Sequence, residues 1–91
     1  MLHHFKQKHL IVILEMDISE YIEINPGIMM GKPVIKGTRI SIESLLEKLA
    51  AGETENEILE AHPHILKQHI KAALSFAVQS LKGETIYPVT L

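Results

Sequence analysis

From residue 41 onward the apolar positions keep a helical period. Ile42, Leu45, Leu46, Leu49 and Ala50 fall at i, i+3, i+4, i+7 and i+8, one face of a helix. Ser41 stands where an N-cap is expected, Glu43 suits the positive first turn, and Gly52 marks a C-terminal stop. Thr54-Glu55-Asn56-Glu57 reads as a capping box, in which the Thr oxygen and the Glu side chain satisfy free N–H groups reciprocally. It opens a short second helix with Ile58 and Leu59. That helix ends at His62, because Pro63 disfavours helix at the residue before it. Ile70, Ala73, Leu74, Ala77, Val78 and Leu81 predict the core face of a longer third helix, closed by Gly83.

Before residue 41 the pattern changes. Tyr21-Ile22-Glu23-Ile24 alternates, and Asn25-Pro26-Gly27 is a turn signal. Ile28 to Met30 is apolar, Gly31-Lys32-Pro33 turns, Val34-Ile35 is extended, and Lys36-Gly37 turns again before Thr38-Arg39-Ile40. These short extended segments predict a small hairpin. Pro33 stiffens an extended stretch, and the Thr38 hydroxyl can bond the turn backbone. The expected fold is mainly α: a three-helix helix-turn-helix domain, homeodomain-like or winged-helix-like, with a short N-terminal β-hairpin, over residues 16–83. The same order also fits a plain three-helix core with no DNA role. Residues 84–91 form a tail with β-forming residues and Pro88. Residues 1–15, with the apolar run Leu10 to Leu14, read equally as an extension before a domain start at Met16 or as an added first strand.

At 91 residues the chain is one domain with a limited core, and it has no cysteine to cross-link it. Dimerisation is one way to bury more apolar surface. Phe76, at the edge of the outward face of the third helix, is the candidate dimer contact; a core position under the hairpin is the other reading. The Leu10–Leu14 run is too short to span a bilayer, and no small-residue cleavage site follows it. The chain therefore reads as cytoplasmic.

A net charge of −2 does not mark a nucleic-acid binder, but the charge is segregated. Residues 41–60 hold six acids and one base, whereas residues 61–83 hold no acid and three lysines. Residues 31–39 are also acid-free, with Lys32, Lys36 and Arg39. A helical projection puts Gln68, Lys71, Ala72, Ser75, Gln79 and Lys82 opposite the core face of the third helix. Amides and hydroxyls there can bond base edges, and lysines can meet phosphates. The candidate DNA-binding set is Lys32, Lys36, Arg39, Lys67, Gln68, Lys71, Ser75, Gln79 and Lys82. For Lys32 and Lys36 phosphate contact and solvated surface weigh equally. Arg39 reads slightly better as a pin from the hairpin to an acid such as Glu43.

Other chemistry finds little support. His62 and His64 flank Pro63, with His69 further on, but no cysteine or nearby carboxylate completes a metal set. The glycine-rich turn lacks the order of a phosphate loop, and no nucleophile–base spacing is present. The expectation is no enzyme, no metal and no cofactor.

The run Asn25-Pro26-Gly27-Ile28-Met29-Met30-Gly31-Lys32-Pro33-Val34-Ile35-Lys36-Gly37-Thr38-Arg39-Ile40 closely resembles the signature of the bacterial family called domain of unknown function 433. Leu45-Leu46, Leu49-Ala50-Ala51-Gly52, Glu57-Ile58-Leu59, His62-Pro63-His64 and Ile70-Lys71-Ala72-Ala73-Leu74 extend the likeness to Val78. The resemblance implies a helix-turn-helix fold. It also implies kinship with antitoxins encoded beside a PIN-like nuclease toxin, which bind that toxin and repress their own operon as dimers. The partners so implied are operator DNA, a PIN-like nuclease toxin and a second copy; the alternative is a protein-binding module that neutralises the nuclease without binding DNA. Two positions depart from the pattern: Met30, where glycine is usual, and Leu66, where a Thr or Ser cap is usual.

Overall fold

The computed structural model describes residues 17–83. The readings of residues 1–15 and 84–91 lie outside the described residues. A 3₁₀ turn, Ile18–Glu20, leads into strand β1, Ile22–Glu23. A second turn, Met29–Gly31, precedes strand β2, Val34–Ile35. Three helices follow: α1, Ile42–Ala50; α2, Glu55–Ala61; and α3, Lys67–Leu81. The expected three helices after a short hairpin are present, and the fold is mainly helical.

β1 and β2 pair antiparallel, with Ile22 opposite Ile35 and Glu23 opposite Val34. Two residues per strand would not hold a hairpin in water. The second edge of β2 supplies the rest. Ile35 N donates to the Ile40 carbonyl at 2.8 Å, and Ile42 N donates to the Pro33 carbonyl at 2.9 Å. On the β1 side Lys36 N donates to the Tyr21 carbonyl at 2.8 Å. β2 is thus bonded to β1 on one edge and to the entry of α1 on the other, with Val34 and Ile35 fully buried. The fold-back between them needs a left-handed residue, and Gly37 supplies it at φ 79°. Thr38 closes the turn as expected: its hydroxyl donates to the Ile35 carbonyl at 2.8 Å and accepts from Ile40 N at 3.0 Å.

Ile28 is extended, but the two methionines after it are not. Met29 and Met30 lie at φ 52° and 56°, just before Gly31 at φ 83°. A non-glycine residue in the left-handed region costs about 1–2 kcal/mol. Met30 is 91% exposed, so no packing offsets that cost.

The helix starts follow the sequence. Ser41 Oγ accepts from Ser44 N at 3.0 Å. The capping box forms, with Thr54 N donating to Glu57 Oε1 at 2.8 Å and Glu57 N to Thr54 Oγ1 at 3.1 Å. These bonds from Thr54 hold the Glu57 carboxyl below the usual carboxylate range. The core joins Ile18, Ile22 and Ile35 from the hairpin side to Ile42 and Leu45 of α1, Ile58 of α2, Ile65, and Ile70, Ala72 and Ala73 of α3.

Two outcomes follow. Met30→Gly should raise stability by about 1 kcal/mol, read by urea unfolding, because it removes left-handed strain and no buried contact. Leu45→Ala, at a fully buried position, should cost about 2–5 kcal/mol. A Met30→Gly variant weaker than the parent would contradict the strain assignment.

Candidate nucleic-acid interface

α3 packs against α1, α2, β1 and the first turn. A helix gripped from several sides has no single core stripe, and the expected face is corrected accordingly. Ile70 and Ala73 are buried as expected, but Leu74 and Leu81 are exposed. Ala72, Ser75 and Gln79, expected on the outer face, are buried. Small side chains at Ala72, Ala73 and Ser75 let neighbouring backbone approach the helix closely. Ser75 is 2% exposed and Gln79 8%, so neither can reach a DNA groove from this position. Gln79 Nε2 donates instead to Ser75 Oγ at 3.1 Å, satisfying two buried polar groups with each other.

The open side of α3 carries Lys67, Lys71, Leu74, Leu81 and Lys82, with Gln68 beside the first turn. Lys67, Gln68 and Lys71 form one exposed cluster at the helix start. Lys82 is exposed at the far end, about 22 Å along the axis from Lys67.

The hairpin cations are placed differently. Lys32 Nζ, not Arg39, reaches Glu43, at 3.4 Å, through a pair exposed on both sides. Such a pair is worth at most about 1 kcal/mol. Lys36 Nζ donates to the Ser19 carbonyl at 3.3 Å. Arg39 is exposed and makes no ion pair among the described residues. Phe76 is half-buried and packs against the core cluster.

His69 is the residue that pattern reading missed. Leu66 caps α3 without a side-chain acceptor, so one half of a capping box is absent. His69, three residues on, supplies the other half: its Nδ1 accepts from Leu66 N at 2.9 Å. The ring also meets Tyr21 edge-on, with centroids 5.5 Å apart, and so ties the first turn of α3 to the hairpin side. The available signal was its N3 position, where Glu or Gln is usual in a box. Burial of the ring lowers the His69 pKa below the ordinary imidazole value. The Leu66 backbone exerts a smaller opposite pull. Its N–H nevertheless points at a lone pair that protonation of Nδ1 would remove. Among the described residues no three histidines, cysteines or carboxylates are grouped as a metal site. No helix there is long and apolar enough to cross a membrane.

A lowered folded pKa means that the unfolded chain binds the proton more readily. The His69 contribution is therefore complete above about pH 6.5 and is lost as pH falls through the depressed folded value. His69→Gln keeps an acceptor at N3 and removes the titration. Urea midpoints at pH 7.5 and 5.5 should differ less for His69→Gln than for the parent; equal differences would exclude His69 as a source of the slope.

A family model described as a protein of unknown function, DUF433, matches residues 22–77. An uncharacterised protein of Sinorhizobium fredii, y4eO, is 33% identical over 58 residues, which are 64% of this chain and 26% of that protein. The chain thus spans about a quarter of that relative. A crystal structure of a DUF433 member from Anabaena variabilis superposes with a TM-score of 0.64 at 23% identity, covering 86% of this chain and 73% of the other. The likeness to that structure shows the fold, and the matched residues run from β1 through most of α3: the chain belongs to the DUF433 family.

Proposed function

We propose that the domain is a DNA-binding helix-turn-helix module that contacts the phosphate backbone through the start of α3, in the manner of an antitoxin that represses its own operon. The observation that carries this reading is the exposed cluster Lys67, Gln68 and Lys71, in a stretch from residue 61 to 83 that holds no acid. The short α2 and the turn Pro63–Leu66 precede it, which is the order of a helix-turn-helix reader. Lysines supply the phosphate contacts, and Gln68 is the amide left to bond a base edge. Ser75 and Gln79 play no part in this surface. Leu74 and Leu81 continue the open side of α3 and are better exposed than Phe76 to meet a second copy, which would present two such helices to successive half-sites.

A second reading is a module that neutralises a PIN-like nuclease without DNA. It is favoured by the acids of residues 41–60, which suit a basic protein surface. Neither reading includes catalysis.

Gel shifts on duplex DNA from the chain's own promoter, across several salt concentrations, separate the two. Lys67→Glu and Lys71→Glu should each weaken binding and reduce the log–log salt slope by about 0.9 or more. Ser75→Ala should leave the slope unchanged. Parent-like affinity in both lysine variants would remove α3 from any DNA surface.

A further inference from the structure

A groove of about 500 Å³ runs between α1 and α3. Two parallel rows of α1 form one side of it. Ile42, Leu46 and Ala50, each four residues apart, make an apolar row, with Ile42 buried at its floor and Leu46 and Ala50 its accessible members, and Glu43 and Glu47 make an acidic one beside it. Phe76 of α3 lines the facing side. We propose that this groove receives an amphipathic helix of a partner protein, one whose apolar stripe is bordered by lysine or arginine.

Shape and charge select that occupant. A helix presents ridges at i±4, and the i, i+4 rows of α1 are the complementary surface for one. A docked amphipathic helix seats its apolar anchor side chains in a groove of this kind, here against Leu46, Ala50 and Phe76. The lining residues that carry charge are both carboxylates. Glu43 is shared with Lys32, whereas Glu47 has no ion-pair partner among the described residues, so an incoming cation gains most at Glu47. The same carboxylates oppose nucleic acid. A second copy could offer its own basic cluster. However, Lys67 lies nine residues from Phe76, about 180° around α3. Groove and cluster therefore face opposite ways, and such a contact would be head-to-tail and would not close into a dimer. The proposal rests on α1 and stands apart from the DNA reading.

The probe is a synthetic peptide of about four helical turns, with leucines at i, i+3, i+4 and i+7 and lysines flanking them; the control carries glutamates in place of the lysines. Both are titrated into the full chain by fluorescence anisotropy, with ¹H–¹⁵N NMR to map the site. The lysine peptide should shift the amides of Leu46, Glu47, Ala50 and Phe76 and bind at least tenfold more tightly than the control. Glu47→Lys and Ala50→Lys, both at exposed positions, should each weaken it at least tenfold, while Lys67→Glu leaves it unchanged. Thermal melts confirm that the variants fold. Absence of binding, equal binding of both peptides, or shifts confined to another face would overturn the proposal. So would concentration-dependent self-association that Ala50→Lys abolishes, which would assign the groove to a second copy. Loss of DNA binding in Lys67→Glu with peptide binding intact would separate the two surfaces.

Discussion

The placement of the three helices depends on two residues of backbone. Val34 and Ile35 are bonded on both edges, to β1 through Lys36 N and Tyr21 and to the entry of α1 through Ile40 and Ile42. Both side chains are fully buried, and Ile35 belongs to the cluster that joins the hairpin side to the helices. A lone two-residue hairpin would fray, but a strand with both edges occupied and both side chains in the core cannot slip by one residue without exposing them. The Gly-Lys-Pro-Val-Ile-Lys-Gly-Thr-Arg motif is therefore largely a structural device. Gly37 allows the reversal, Thr38 staples it, and the Pro33 carbonyl receives the first amide of α1. Its three cations all stay at the surface: Lys32 pairs with Glu43, Lys36 donates to the Ser19 carbonyl, and Arg39 makes no ion pair among the described residues.

The elements were legible where the determinants are local. Ser41, Thr54 with Glu57, and Pro63 each act within a few residues, and each marks a helix boundary as the sequence implies. The outward face of α3 was not legible, because its burial depends on how many elements pack around it. Periodicity assigns one stripe; α3 has neighbours on several sides, which brings Ala72, Ser75 and Gln79 inside and leaves Leu74 and Leu81 outside. The pairing of Glu43 was half legible. An acid on the first turn of α1 does receive a hairpin cation, but Lys32 rather than Arg39, since the chain reverses between them. The left-handed run at Met29 and Met30 is hidden from residue-type reasoning, which assigns methionine no such preference.

His69 joins the scaffold to the proposed site. Its Nδ1 caps the start of α3 while its ring contacts Tyr21, next to β1. The side chains that bear the functional reading, Lys67 and Gln68, are the two residues between Leu66 and His69. Their position is thus set by a cap whose strength depends on an uncharged imidazole. The two candidate surfaces divide the helix set: a basic start on α3, and an acidic-apolar groove on α1 that faces away from it. The two proposals therefore draw on separate parts of the domain.

Native-state hydrogen exchange tests the keystone most directly. If β2 is locked on both edges, the Ile35, Lys36 and Ile42 amides should exchange only through global unfolding, with the same free energy as the most protected amides of α1 and α3 and the same dependence on denaturant. Exchange of those amides at lower free energy, by an opening insensitive to denaturant while α1 and α3 stay protected, would show that the hairpin is an appendage and that the helices hold themselves together.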